Sequence, residues 1–269
     1  MKTFHLASYN RASNGAVSHL KNELYKRKML APAEKADYII AVGDRTETFD
    51  VVLQQWRSGV PVIHLWAGER CSDWAVEDEV YRSAMTLMSM MQLCTNPTAY
   101  KRVIDLCKAT GKEPNAYVVG NVMLDDMKTD SSKLPSSPYI LVLYNPPTLL
   151  PESVVKSDLI EIQTKLIELK SKYKLKKHIW IEPNGDHQSG LVLEYSNQQN
   201  LPRPQFLGLL KNCRFFITNS SSQYYEAPFF LKPDQIIPIG KRNSGRDSKN
   251  ADMSITGATE KIISLLEKL

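Results

Sequence analysis

Polar side chains that could bind an anion follow two apolar runs late in the chain. Asn219–Ser222 lies between the apolar run CRFFIT and YYEAPFFL, which predicts a helix. Hydroxyls and unpaired backbone N–H groups at a helix start attract anions because the helix dipole is positive there. Arg242 and Arg246 follow the next apolar run, and guanidinium groups bind phosphate through paired hydrogen bonds. The pattern predicts a phosphate site.

Carboxylates occupy comparable positions in the first half. Asp44 and Glu69 each follow an apolar run, and Asp78 lies a short way beyond. Carboxylates transfer protons, so these three are the candidate catalytic residues, with Asp44 first because it ends a predicted strand. The alternative for Asp44 is that it caps the next helix. Arg45 is a candidate substrate contact, and Glu226, one to two turns beyond the serines, is placed to hold a ribose diol.

Strands and helices alternate along both halves, which predicts two doubly wound parallel sheets with a cleft between them. Ligands of such sheets lie beyond the carboxyl ends of the strands. The run YRSAMTLMSMMQLC predicts one buried helix. Serine and proline enrichment predicts a linker at 131–138, which separates an N-terminal Rossmann-like domain at 1–130 from a second Rossmann-like domain that begins at residue 139.

Composition limits the class of protein. The 269 residues are 42% hydrophobic and 23% charged, ordinary values for a globular chain. The start lacks a signal-peptide pattern and no run is long enough for a membrane helix, which predicts a cytoplasmic protein with no membrane partner. The four cysteines form no CxxC pair, and neither GxGxxG nor a P-loop motif occurs, so no metal or nicotinamide cofactor is expected.

Several segments together resemble the UDP-N-acetylglucosamine 2-epimerase family, and within it the hydrolysing branch that makes ManNAc. The similarity runs over nearly the whole chain. The segments are GDRTETF, IHLWAGE, DEVYR, PNGDHQS, ITNSSSQYYE and IGKRNSGRD. Their order and spacing are more specific than any one of them.

The resemblance implies the α/β GT-B-like fold. Residues 139–250 would then form the nucleotide-sugar-binding domain, which holds most of the nucleotide diphosphate, and residues 251–269 a helix that returns to the N-terminal domain. It places Ser220, Ser221 and Arg246 on the diphosphate, with Arg11 reaching it from the first domain. It also places Glu226 on the ribose hydroxyls, and Asn184 and Asp186 beside the sugar or the uracil. UDP-sugar would be a substrate, so no cofactor is implied.

The chain departs from the family pattern at four places. Trp66 stands where the family carries an acid before AGL or GGE, and Ala16 where it carries a lysine. The family's histidine early in the second domain has no counterpart in YILVLYNPPTLLPES. A strand–helix unit is also missing between the first helix and ADYIIAVGD.

These departures lead to three hypotheses for function. The first is a metal-independent UDP-sugar glycosyltransferase that has replaced the epimerase chemistry. The alternative is a UDP-GlcNAc 2-epimerase, hydrolysing or non-hydrolysing, with altered catalytic residues, since Glu69, Asp78 and Glu79 are retained. The third is a non-catalytic nucleotide-sugar-binding protein.

The partner predictions follow from the first hypothesis. The net charge of +5 suits a polyanionic acceptor, so hydroxymethylated phage DNA is one candidate, and the location would then be the host cytoplasm. Tyr9, Trp66 and Trp74 would stack on a flipped base. The basic side chains proposed to contact DNA are Lys172, Lys174, Lys176 and Lys177, although they precede a strand. An oligomer is compatible with the sequence.

Overall fold

The computed structural model describes residues 1–9, 15–71, 77–185, 187–243 and 255–269. The chain divides into two units. Unit 1 comprises Met1–Arg70, Glu77–Asp126 and Asp247–Leu269, and unit 2 comprises Cys71–Val76 and Met127–Arg246. Within the described ranges, no helix is long and apolar enough to cross a membrane.

Unit 1 contains a parallel sheet whose strands are neighbours in chain order. The strands are β1 (Phe4–Ala7), β2 (Tyr38–Val42), β3 (Val62–Leu65), β4 (Met91–Cys94) and β5 (Ala116–Val118). The connecting helices are α1 (Ser18–Lys26), α2 (Thr46–Arg57), α3 (Asp78–Met88) and α4 (Pro97–Ala109), and α9 (Ala258–Leu266) joins this unit from late in the chain. Short 3-10 helices lie at Ala33–Lys35 and Val122–Asp125.

Strand β4 corrects the prediction of one buried helix over YRSAMTLMSMMQLC. Helix α3 ends at Met88, Ser89 is extended, and the next residues form a strand whose four members are all buried. A strand covered on both faces has no alternation of apolar and polar residues, so its pattern resembles that of a buried helix. The side chain of Lys112 donates to the carbonyls of Leu87 and Ser89 at 2.6 Å each and so caps the end of α3.

Helices cover both faces of this sheet. Phe4, Ile40 and Ile63 pack with α1 and α9, whereas the alternate strand residues Ile39 and Val62 pack with α2 and α3. Since the strands follow chain order while α1 lies on the face opposite α2, α3 and α4, the β1–α1–β2 connection has the opposite hand to the next three. Such connections are right-handed in about 98% of cases. The exception is the connection in which, relative to the family that the sequence resembles, a strand–helix unit is missing.

Unit 2 contains a second parallel sheet, in the order β7-β6-β8-β9. Its strands are β6 (Tyr139–Leu143), β7 (Lys177–Ile181), β8 (Phe215–Thr218) and β9 (Ile236–Pro238). Its helices are α5 (Glu152–Tyr173), α6 (Ser189–Leu193), α7 (Arg203–Asn212) and α8 (Ser222–Tyr225), with 3-10 helices at Ala227–Phe229 and Pro233–Gln235. Helices α5 and α7 pack on opposite faces of the sheet.

The strand order of unit 2 reverses at β6. The chain passes from β6 to β7 on one side and then returns to β8 on the other, which makes the gap between β6 and β8 a topological switch point. Ligands of open α/β sheets bind beyond the carboxyl ends of strands at such points. The segments after β6, β7 and β8 are therefore where the fold favours a ligand.

Helix α9 is attached to unit 1 through its first turn. The carboxylate of Asp125 accepts hydrogen bonds from the backbone N–H groups of Gly257, Ala258 and Thr259, at 3.2, 3.2 and 2.6 Å. An acidic group at this position satisfies donors that have no partner within the helix and complements its dipole. A residue far away in the sequence thus caps α9.

Candidate functional site

Four charged side chains form an alternating cluster in unit 1. The Nε of Arg82 donates to Oδ2 of Asp44 at 2.8 Å, and its Nη2 makes a closer contact with the same oxygen. Its Nη1 lies 2.6 Å from Oε2 of Glu79, while Nε of Arg70 lies 3.3 Å from the other oxygen of Glu79. The side chains of Arg82 and Glu79 are 1% and 3% exposed, and that of Asp44 is 21% exposed. Asp44 is therefore the carboxylate that a solute could reach, and Arg70, 22% exposed, is the accessible cation.

Local sequence explains this arrangement. Glu79 and Arg82 are three residues apart on α3 and so lie on the same face of the helix. Asp44 follows β2 directly after Gly43, which has a φ of +75°. The N-cap of α2 is Arg45, with no side-chain capping bond, so the capping alternative for Asp44 is not observed. Nε of Arg45 lies 3.6 Å from Oε2 of Glu47.

The buried His64 makes hydrogen bonds through both ring nitrogens near the carboxyl end of β2. Its Nε2 lies 3.0 Å from the carbonyl of Gly43, and its Nδ1 lies 3.0 Å from Oγ1 of Thr86. Because a carbonyl can only accept, Nε2 carries the proton. Desolvation by burial lowers the pKa of His64 from 6.5 to about 4, since the charged imidazolium is disfavoured there.

The pKa of His64 predicts a loss of stability in mild acid. The folded state keeps His64 neutral, whereas the unfolded chain takes up a proton below pH 6.5, so stability is full above 6.5 and falls as the pH drops toward 4. Between pH 7 and pH 5 this group alone should cost about 2 kcal/mol of unfolding free energy. Urea titrations measure the unfolding free energies of wild type and His64→Gln. The difference between them should therefore shrink by about 2 kcal/mol from pH 7 to pH 5. The exposed His187→Gln variant is the control, and parallel pH profiles for His64→Gln and wild type would contradict the assignment.

Glu69 and Asp78 are held separately from Asp44. Glu69 is 7% exposed, and its Oε1 accepts a close hydrogen bond from the hydroxyl of Thr95 and a 3.5 Å contact from Nδ2 of Asn96. Asn96 also caps α4 by accepting from the N–H of Ala99 at 2.9 Å, so the carboxylate lies by a helix N-terminus. Asp78 is the half-buried first residue of α3.

Unit 2 brings its strand ends together through asparagines. The N–H of Asn145 donates to Oδ1 of Asn219 at 2.8 Å, and Nδ2 of Asn219 donates back to the carbonyl of Asn145 at 2.7 Å. The N–H of Asn184 donates to Oδ1 of Asn145 at 2.9 Å, and Nδ2 of Asn243 donates to the carbonyl of Asn219 at 2.8 Å. The segments after β6, β7, β8 and β9 are thus joined at one edge of the sheet.

The predicted serine cluster lies at this edge, but the predicted helix after it is short. Ser220 accepts from the N–H of Ser222 at 3.3 Å, and both serines, like Ser221, are half-buried. Helix α8 is a single turn, followed by a 3-10 helix containing Pro228, which has no N–H to continue an α-helix. The prediction of one helix over YYEAPFFL is therefore wrong, and the serine hydroxyls and backbone N–H groups precede only a single helical turn.

Glu226 directly follows α8 and is paired with a buried cation. Nε and Nη2 of Arg203, the first residue of α7, lie 3.1 and 3.0 Å from Oε1 of Glu226. The two side chains are 11% and 5% exposed. Both nitrogens of Arg203 contact Oε1, so Oε2 is the oxygen to which a further donor would bind. The sequence pattern contained no indication of this arginine.

The remaining predicted residues are placed as follows. Nη1 of Arg242, after β9, donates to the carbonyl of Pro146 at 2.8 Å, which brings it to the segment after β6. Arg11, Asp186 and Arg246, like Trp74, lie outside the described residues. Within the described part of the chain, no group of three or more His, Cys, Asp or Glu could hold a metal ion.

Sequence reasoning missed the residues that orient the predicted ones. Arg82 and Arg70 were not identified, although the three-residue spacing from Glu79 to Arg82 indicated a helical ion pair. Asn145 follows β6 as Asn219 follows β8, and that parallel was the available indication. The lysines proposed for DNA lie at the end of α5 and the start of β7, at the opposite end of that strand from the asparagines.

Comparison with known sequences gives a consistent result. A family model described as UDP-N-acetylglucosamine 2-epimerase matches residues 5–269. UDP-N,N'-diacetylbacillosamine 2-epimerase (hydrolyzing) of Legionella pneumophila is 25% identical over 247 residues, covering 83% of this chain and 62% of its own. GDP/UDP-N,N'-diacetylbacillosamine 2-epimerase (hydrolyzing) of Campylobacter jejuni is 28% identical over 233 residues, covering 79% and 58%. The chain spans about three-fifths of the length of these relatives.

Solved structures show the same fold. The structure of S. aureus MnaA with UDP has a TM-score of 0.75 at 16% identity and covers 100% of this chain and 96% of its own. UDP-GlcNAc 2-epimerase from Neisseria meningitidis, bound to UDP-GlcNAc, has a TM-score of 0.72 at 14% identity and covers 100% of both chains. The predicted α/β GT-B-like fold class, with two Rossmann-like units, is confirmed.

These comparisons correct the first functional hypothesis. The matched family and the relatives over most of the chain are epimerases, so the glycosyltransferase interpretation is wrong. The DNA acceptor was inferred from that interpretation and from net charge, and nothing in the comparisons supports it. The chain belongs to the UDP-N-acetylglucosamine 2-epimerase family.

Proposed function

We propose that this protein inverts the configuration at C2 of a UDP-linked N-acylamino sugar and releases UDP. The observation that carries the proposal is the partly exposed carboxylate of Asp44, fixed by the buried Arg82 at the carboxyl end of β2. The names of the Legionella and Campylobacter relatives, both hydrolysing 2-epimerases, support the reaction class. The UDP and UDP-GlcNAc in the matched structures support the ligand class.

The chemistry requires a proton to leave C2, next to the anomeric carbon, and to return on the other face. The bond between the anomeric carbon and UDP breaks, and water supplies the new hydroxyl at that carbon. A base and an acid at fixed positions contribute typically 10²–10⁴-fold each to such steps. We assign Asp44 as the base at C2, because it is the accessible carboxylate of the charged cluster. Glu69 and Asp78 are the candidates for returning the proton.

The nucleotide is assigned to unit 2, at its topological switch point. Ser220, Ser221 and Ser222 would offer hydroxyls and N–H groups to the diphosphate, and Arg242 would offer positive charge. Asn184 and Asn219 are joined through Asn145 beside them. Arg11, Arg45, Asp186 and Arg246 remain proposed contacts on the basis of the sequence. The charge on the departing diphosphate is balanced by arginine, so a metal ion is not required in this proposal.

Glu226→Gln should weaken UDP binding by about 1–3 kcal/mol, because a ribose hydroxyl would lose a charged hydrogen-bond acceptor. Isothermal titration calorimetry with UDP measures this directly. Glu194→Gln removes an exposed carboxylate from the same unit and serves as the matched control. Equal UDP affinity for Glu226→Gln and wild type would remove Glu226 from the nucleotide site.

The proposed function is tested by incubating the protein with UDP-GlcNAc and, separately, with UDP-N,N'-diacetylbacillosamine, without any acceptor. Chromatography should show UDP accumulating together with the C2-inverted free sugar from at least one of them, and EDTA should not stop the reaction. Binding of both without release of UDP would instead support the non-catalytic hypothesis. Release that depends on a divalent cation would overturn the account of how the diphosphate is stabilised.

A further inference from the structure

Trp66 has a backbone conformation that bulky residues rarely adopt. It follows β3 with a φ of +69°, in the left-handed region that favours glycine. The surrounding structure enforces this conformation, because the N–H groups of Trp66 and Ala67 both donate to the carbonyl of Leu93, at 3.0 and 3.2 Å. Gly68 then packs so closely on α4 that a Cβ would lie 2.1 Å from the carbonyl oxygen of Ala99. Strain of this kind is concentrated at functional sites.

The side chain of Trp66 lies against the strand end that carries Asp44, and it also packs on the core that α1 and α9 cover. Its six-membered ring would be 3.5 Å from a Cβ built on Gly43, so the ring rests on the backbone immediately before Asp44. The residue as a whole is half-buried, so part of the side chain remains accessible. An aromatic surface therefore adjoins the carboxylate proposed to act at C2.

The indole nitrogen of Trp66 is a donor without an acceptor. Nε1 is buried and has no hydrogen-bond partner among the residues that the structure describes. Buried polar groups are nearly always paired, and an exception in a native structure requires an explanation. Strain in the backbone and an unused donor in the side chain both lower stability, and they occur in the same residue.

We infer that Trp66 is a specificity-determining residue that recognises the acylamino group of the sugar, an inference that rests on the proposed function. The acyl methyl would pack on the accessible part of the ring, and the amide carbonyl would accept the indole N–H once the ring turns toward it, because Nε1 is buried in the structure. An apolar surface with one neutral donor matches an amide better than a hydroxyl, which offers no apolar part. A phosphate would be matched better by the arginines. The strained φ is retained because it holds the ring in this position.

The test compares Trp66→Phe, which keeps an aromatic ring and removes the N–H, with Trp56→Phe, which changes a half-exposed tryptophan of α2 in the same unit. The probes are UDP-GlcNAc, UDP-glucose and UDP, the first two differing in the group at C2. Calorimetry on Trp66→Phe, with Asp44→Asn present in both proteins compared so that UDP-GlcNAc is not turned over, should show about tenfold weaker binding of UDP-GlcNAc, the effect of losing one hydrogen bond. UDP-glucose and UDP should change less than twofold, and Trp56→Phe should change none of the three.

A ratio of affinities for UDP-GlcNAc and UDP-glucose that Trp66→Phe leaves unchanged would overturn the inference, even if the variant is less stable. Should that variant fail to fold, the indole N–H signals of wild type answer the question by NMR. Of the four tryptophans, one indole proton should shift with UDP-GlcNAc and not with UDP-glucose. Equal responses to the two sugars would overturn it. Wild type that binds UDP but fails these comparisons refutes the inference alone, whereas wild type that binds no UDP refutes the proposed function as well.

Discussion

Asp44→Asn should lower the rate of UDP release from the sugar nucleotide by about 10²–10⁴-fold, the contribution of a positioned base. The amide has nearly the same size as the carboxylate but does not take a proton at neutral pH. UDP affinity should be unchanged, because the nucleotide is assigned to unit 2. Steady-state kinetics and calorimetry on the same preparation separate the two effects.

The matched control is Asp50→Asn, which neutralises an exposed aspartate on α2 of the same unit. It should leave the rate within a factor of two of wild type. A rate for Asp44→Asn within tenfold of wild type would show that Asp44 is not the base. Glu69 and Asp78 would then be the residues to test.

Arg82→Met should lower the free energy of unfolding by about 3–5 kcal/mol, the cost of removing one partner from a buried ion pair. The guanidinium contacts Asp44 and Glu79, and its loss leaves those negative charges without their shared cation. Urea denaturation at neutral pH measures the effect. Arg57→Met, at the exposed end of α2, should change stability by less than about 0.5 kcal/mol.

A neutralised triple variant tests the cause. Combining Arg82→Met with Asp44→Asn and Glu79→Gln removes both the cation and the charges it balances. Replacing buried ion pairs by neutral groups is often close to neutral in stability, and Arg70, which loses Glu79, is partly exposed to water, so this variant should recover much of the loss. A triple variant that is less stable than Arg82→Met alone would show that packing of the arginine, and not charge balance, dominates.

In both sheets, the end at which polar side chains lie was predictable, because strand ends can be located from apolar runs. Asp44 after β2 and Asn219 after β8 were identified in this way, and both take part in polar networks at those ends. Their partners were not predictable. Arg82 lies within a helix 38 residues away, and Arg203 begins a helix 23 residues before Glu226. Contacts of that kind depend on packing, which periodicity does not encode.

The fold class followed from the alternation of strands and helices, yet β4 and the length of α8 did not. β4 is buried on both faces and so lacks the alternation that distinguishes a strand. The opposite hand of the β1–α1–β2 connection was also not predictable, since it contradicts a rule that most chains obey.

The error in the predicted function has a physical origin. The glycosyltransferase hypothesis rests on the missing histidine and on the tryptophan at position 66. The carboxylates at Asp44, Glu69 and Glu79 remain, however, and the structure holds each of them in place with charged or polar neighbours. A departure from a family pattern indicates an altered site and does not by itself identify another reaction.

The most direct test of proton transfer at C2 is the reaction in D₂O with UDP-GlcNAc or UDP-N,N'-diacetylbacillosamine as the only sugar. NMR of the released sugar should show deuterium at C2 and inverted configuration there, with one UDP formed per sugar, because the proton removed by the base exchanges with solvent before another returns. Asp44→Asn should slow the deuterium incorporation together with UDP release. Released sugar that keeps its original hydrogen and configuration at C2 would contradict the account.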